Sequence, residues 1–140
     1  MWIVGGFSSL KGPLHSTEFV SIDKESLHGP SLPFSLYMHC MVKFNDQAIY
    51  IISGYQNSQH HLLSKSTWIA NPSKEFQLKP GPTLNFLWQQ QPGGSLGITC
   101  TTYKDNLGVT KIIVGYGRLE YVETLYPSLE TNKWIAGKNK

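Results

Sequence analysis

Three apolar runs in this chain stop at small residues, and that recurrence constrains the fold more than any other feature. They are Trp2-Ile3-Val4-Gly5-Gly6, Ile49-Tyr50-Ile51-Ile52-Ser53-Gly54 and Ile112-Ile113-Val114-Gly115-Tyr116-Gly117. Each reads as a strand halted by a residue that tolerates a turn. A polar loop and a second strand follow each run, opening at Thr17, Thr67 and Val122, with spacings of 50 and 55 residues. Gly29-Pro30-Ser31-Leu32 recurs as Gly81-Pro82-Thr83-Leu84, and the strand after it as Met38-His39-Cys40-Met41-Val42 and Gly97-Ile98-Thr99-Cys100-Thr101. A unit is therefore about 50 residues of four short strands, which pair as an antiparallel meander. One such sheet cannot bury both faces alone, so neighbouring sheets stack.

Composition agrees with an all-β chain. Gly and Pro number 13 and 8, and Phe, Trp and Tyr make up 12% of the 140 residues. Charged residues are only 15%, against about 25% in an average globular protein, which excludes a charge-rich disordered tail. The net charge is +3, but the 11 lysines are scattered and Arg118 is the single arginine, which argues against a nucleic-acid surface. No apolar run reaches the roughly 18 residues of a membrane helix.

The recurring motifs resemble those of kelch-repeat β-propellers. The last unit matches best: Val122-Glu123-Thr124-Leu125-Tyr126-Pro127, then Thr131-Asn132-Lys133-Trp134 and Gly137, is similar to the family's Val-Glu-x-Tyr-x-Pro and Thr-Asn-x-Trp-x-x-Gly segments. Leu32-Pro33 followed by His39 resembles another family stretch. Ser26 and Leu78 stand where Trp134 stands in the last unit. The resemblance implies stacked four-stranded antiparallel blades forming a partial, open propeller. Residues 1–36 form a first blade lacking its first strand, 37–86 a second and 87–140 a third. Propellers close with four to eight blades, so a count just under three implies a fragment or truncated form of a larger kelch-like protein. It also leaves open edges for self-association, with ring closure by two chains as one outcome.

The residues that build the repeat are expected to be packing residues, with Trp134 as an apolar plate between blades. Cys40 and Cys100 occupy matching places in neighbouring units. Stacked sheets lie about 10 Å apart, and a disulfide needs Cα atoms within about 7 Å. Free buried thiols are therefore expected, and with them a reducing, cytoplasmic setting. His60-His61 lacks metal-ligand spacing and reads as loop, and His39 reads as a structural strand histidine. Pro92-Gly93-Gly94-Ser95 lacks the Lys-Ser/Thr ending of a phosphate loop. No cofactor and no metal are expected.

Loops at the ends of a rigid scaffold carry function. The resemblance implies that a protein partner docks on the loops after the second strand and on those linking blades. Aromatic residues and Arg dominate such contacts, and His15, Tyr37, Tyr55, Trp88, Tyr116 and Arg118 are the candidates. The leading expectation is a non-catalytic protein-interaction module without membrane or nucleic-acid partners. Two alternatives are a segment of a substrate-recruiting adaptor of a cullin ubiquitin ligase, and a piece of an enzyme propeller related to galactose oxidase or the sialic-acid epimerases.

Overall fold

The computed structural model describes residues 1–56, 64–85, 98–116, 121–127 and 133–138. The chain is all-β, as composition and turn chemistry require. In chain order the strands are β1 (Trp2–Val4), β2 (Phe7–Ser8), β3 (Gly12–Pro13), β4 (Thr17–Ser21), β5 (Lys24–His28), β6 (Leu36–Tyr37), β7 (Cys40–Asn45) and β8 (Ala48–Ile52). They continue as β9 (Tyr55–Gln56), β10 (Thr67–Asn71), β11 (Gln77–Pro80), β12 (Ile98–Lys104), β13 (Thr110–Tyr116), β14 (Tyr121–Leu125) and β15 (Ile135–Lys138). Three antiparallel meanders result: sheet 1 in the order β1-β4-β5, sheet 2 in the order β7-β8-β10-β11, and sheet 3 in the order β12-β13-β14-β15. Two short ribbons, β2-β3 and β6-β9, lie outside them.

Sheets 1 and 2 repeat one set of backbone hydrogen bonds. Gly5 N donates to Ser16 O at 2.9 Å, and Ser53 N donates to Ser66 O at 2.9 Å. Leu14 N reaches Gly6 O, as Ser64 N reaches Gly54 O. Gly29 N reaches Thr17 O, as Gly81 N reaches Thr67 O. Leu32 N reaches His15 O, as Leu84 N reaches Lys65 O. The recurrence seen in the sequence is thus a recurrence of backbone geometry, built with different side chains.

Strand alternation decides how the sheets stack. Trp2 and Val4 of sheet 1 share one buried cluster with Ile51 and Ala70 of sheet 2, joined by Ile49, Trp68 and Leu78. Tyr50, Ile52 and Ile69 point the other way, into a second cluster with Ile98, Ile112, Val114, Leu125 and Trp134 of sheet 3. Sheet 2 is therefore buried on both faces. This explains why Ile49 to Ile52 is continuously apolar while most antiparallel strands alternate with polar residues. Trp134 lies between sheets 2 and 3, 3% exposed, and its indole donates to Pro82 O at 3.0 Å.

The free-thiol expectation fails: Cys40 and Cys100 form a disulfide, with Cα atoms 5.9 Å apart. Two physical reasons account for it. The first is register. Cys40 pairs with Ile52, which pairs with Thr67, whereas Cys100 pairs with Val114 and that residue with Glu123. The counterpart of Thr67 in sheet 3 is Val122, which pairs with Gly115, and Gly115 pairs with Thr99. Thr99, not Cys100, is therefore the match of Cys40. A one-residue offset moves a side chain to the opposite face, so the two sulfurs point at one another across the gap. The second reason is that β7 and β12 run directly against each other, so the sheets converge there below the usual spacing. Linking residues 60 apart removes enough unfolded-state freedom to stabilise the fold by about 4 kcal/mol on the chain-entropy model.

Register also exposes a strained position. Gly5 has φ +57°, and its counterpart Ser53 adopts φ +59°. Ser53 is 3% exposed, and its hydroxyl has no hydrogen-bond partner among the described residues. The left-handed conformation costs a non-glycine residue roughly 1–2 kcal/mol, and a lone buried hydroxyl about 1–3 kcal/mol. Together these outweigh the roughly 0.5–1 kcal/mol of extra unfolded-state freedom that glycine brings. Ser53→Gly is expected to stabilise the protein by about 1 kcal/mol, read as a rise of about 3–5 °C in Tm by circular dichroism. A fall in Tm would contradict the equivalence of Ser53 and Gly5.

Candidate functional site

The ends of β1 and β8 where the small residues stand meet on one side of the molecule, and an aromatic cluster forms there. Tyr37 and Tyr55 lie directly opposite one another in the β6-β9 ribbon. Their rings stack at 5.3 Å with 26° between planes. Phe7, from the β2-β3 hairpin, packs on Tyr37 at 5.5 Å. Burial, then the adjacent Tyr55 phenol, raises the Tyr37 hydroxyl above its ordinary value. Phe7 is 55% exposed, and Leu10 at the hairpin tip 94% exposed. The tip is shaped by the Ser8 hydroxyl, which accepts from Leu10 N and Lys11 N at 3.3 Å each.

Two glycines let these loops close on the connection between sheets 1 and 2. Gly6 N donates to Leu36 O at 2.7 Å, and Leu36 N donates to Leu14 O at 2.9 Å. The linker strand β6 is thereby held against the first loop on one side and β9 on the other. A Cβ on Gly5 would collide with the Leu36 carbonyl. Gly54 has φ +99°, and a Cβ there would sit 2.8 Å from His39 Cβ and 3.0 Å from Tyr37 O. Glycine is required at both places by close approach as well as by conformation.

His39 lies beside Gly54, immediately before β7. It is half-buried, and its Nδ1 has no hydrogen-bond partner among the described residues. Burial penalises the imidazolium and holds its pKa below the ordinary 6.5.

The candidates drawn from the sequence fare unequally. Tyr37 and Tyr55 come together. His15 is exposed, its carbonyl accepts Leu32 N, and no described side-chain contact joins it to the tyrosines. Tyr116 ends β13 opposite Ile98, but its side chain lies outside the described residues. Trp88, Arg118 and the His60-His61 pair also lie outside them, as does Pro92-Gly93-Gly94-Ser95. Phe7 was overlooked in the sequence, although its place directly after Gly5-Gly6 marks it as the first loop residue.

A buried carboxylate was also overlooked. Glu123 is 0% exposed, and one of its oxygens accepts from Asn85 N at 2.9 Å and Asn85 Nδ2 at 3.2 Å. The same amide donates to Trp134 O. Glu123 thus ties the segment leaving sheet 2 to the centre of sheet 3. At the opposite end of sheet 2 from the aromatic platform, by the β7–β8 turn, a groove of about 430 Å³ opens over Phe44, Tyr50 and Ile69, flanked by Lys74, Lys79 and Pro127. None of the candidate residues lines it. Among the described residues no group of three His, Cys, Asp or Glu side chains converges to hold a metal ion. No helix among the described residues is long and apolar enough to cross a membrane.

Against known proteins, the chain matches no family model and no curated protein.

His39 provides a pH test of the packing beside Gly54. The unfolded chain takes up the proton at the ordinary pKa, while the folded chain takes it up only at lower pH. The stability from keeping His39 neutral is complete above pH 6.5 and is lost as pH falls toward the folded pKa. Urea midpoints of the native protein are expected to fall more between pH 7.5 and pH 5 than those of His39→Gln. Equal slopes in the two proteins would contradict this assignment.

Proposed function

We propose that this chain is a non-catalytic protein-interaction module of the kelch-repeat type, a fragment or truncated form of a larger kelch-like protein, and that it takes a protein partner on its aromatic loop platform. The observation that carries the reading is the meeting of Phe7, Tyr37 and Tyr55 from three separate segments, with Leu10 exposed at the tip of the Phe7 hairpin and Met38 exposed next to Tyr37 in the chain. Rigid aromatic rings rimmed by exposed apolar side chains suit protein recognition, because truncating a few such anchors removes most of an interface's affinity. Three meander sheets stacked through matching faces support the propeller-blade reading. The Cys40–Cys100 disulfide favours an oxidising compartment over the cytoplasm, since it removes the unpaired thiols on which the cytoplasmic expectation rested.

The test is selection of a random peptide library on the immobilised chain. Selected peptides are expected to lose affinity by about tenfold or more with Phe7→Ala and with Leu10→Ala, while the circular dichroism spectrum is unchanged. Peptides indifferent to both substitutions would place recognition elsewhere.

A further inference from the structure

Both internal interfaces join sheets head to tail, and the two outermost sheet faces repeat their two halves. The face of sheet 2 turned toward sheet 3 carries Tyr50, Ile52 and Ile69. By register, the corresponding face of sheet 3 carries Ile113, Gly115 and Thr124, all turned away from sheet 2. Thr101, Ile113, Thr124 and Ile135 form one cross-strand row of that face, and Thr99, Gly115, Val122 and Gly137 form the next. None of these eight residues is charged. Ile135 is 54% exposed, and the described residues place no sheet over it. Lys111, paired with Tyr103, stands at the end of this face, its ammonium over the Tyr103 and Tyr126 rings at 5.1 and 5.6 Å. Between it and Gly137 the face carries no charge and sets Ile113, Val122 and Ile135 among threonines and glycines.

Sheet 1 presents the opposite half. Its outer face holds Ile3, 42% exposed, and beside it Glu18, which pairs across to both Ile3 and His28. Met1 and Val20 extend the same face, bonded to each other by Val20 N to Met1 O and Met1 N to Val20 O. The register matches these four residues to Ile112, Val114, Glu123 and Leu125, the face with which sheet 3 docks on sheet 2. Met1 stands for Ile112, Ile3 for Val114, Glu18 for Glu123 and Val20 for Leu125. Apolar residues occupy the same three places and a glutamate the fourth.

We propose that a second copy of this chain docks head to tail, the outer face of its sheet 1 covering the outer face of sheet 3. The occupant follows from the chemistry of the chain itself, since the face with which sheet 3 docks on sheet 2 is repeated, position for position, on the outer side of sheet 1. The contact is heterologous. It closes on itself when the rotation between copies permits, and otherwise adds further copies. It uses a surface separate from the aromatic platform and stands or falls independently of it.

Light scattering on a sizing column, over a range of concentrations, tests this with the intact disulfide-bonded chain. The native protein is expected at twice the chain mass or more. Ile3→Lys and Ile113→Lys are each expected to be monomeric with unchanged circular dichroism, because both side chains lie on outer faces. Mixing the two variants restores association, since one supplies an intact sheet 3 face and the other an intact sheet 1 face. A folded native monomer at tens of micromolar would overturn the proposal. So would association that survives either substitution, or variants that do not reassociate on mixing, which would indicate pairing of identical faces.

Discussion

Everything in this molecule depends on sheet 2 being apolar on both sides. Ile51 and Ile52 are neighbours in β8, point in opposite directions, and are 1% and 0% exposed. Each anchors a different cluster, so a single strand holds sheets 1 and 3 in place. Complete burial of an aliphatic side chain of this size contributes roughly 1.5–3 kcal/mol, and the alternation of the strand divides that contribution between two interfaces. The stacking then determines which loops meet, because the small residues ending β1 and β8 are carried to the same end.

From that arrangement the polar features follow. Glu123 lies in the interface of sheets 2 and 3, where a carboxylate is tolerated only when donors meet it, and Asn85 supplies two. The position that Glu123 fills in sheet 3 is Trp68 in sheet 2, which packs on Phe34 at 5.0 Å. One site in the repeat is thus filled by a carboxyl group in one sheet and by an indole in the next. The disulfide joins the edge strands β7 and β12, where the two sheets converge, and fixes the same interface covalently.

Much of the architecture was legible in the chain, and the reason is local. Turn chemistry at Gly5-Gly6, Ser53-Gly54 and Gly81-Pro82 marks strand ends directly, and the apolar runs between them have strand length. The register between strands was not legible, because it is set by cross-strand pairing that residue counting approximates only to within a position. That single position separated two free thiols from a disulfide. The pairing of Tyr37 with Tyr55 was legible only as two candidates on two loops. Their contact depends on the linker strand β6 being held by Gly6 and Leu14, which is a tertiary effect. Phe7 and Glu123 were missed for the same reason: an aromatic at a loop start and a glutamate in a strand acquire their roles only once neighbouring sheets are placed.

The central claim is that sheets 2 and 3 face one another in the register that opposes Cys40 to Cys100. Peptide mapping by mass spectrometry, on protein digested without reduction after alkylation of free thiols, tests it most directly. The account predicts one linked peptide pair containing Cys40 and Cys100, which separates on reduction. Recovery of both cysteines as alkylated single peptides from the folded protein would contradict it, and with it the face-to-face register on which the stacking rests.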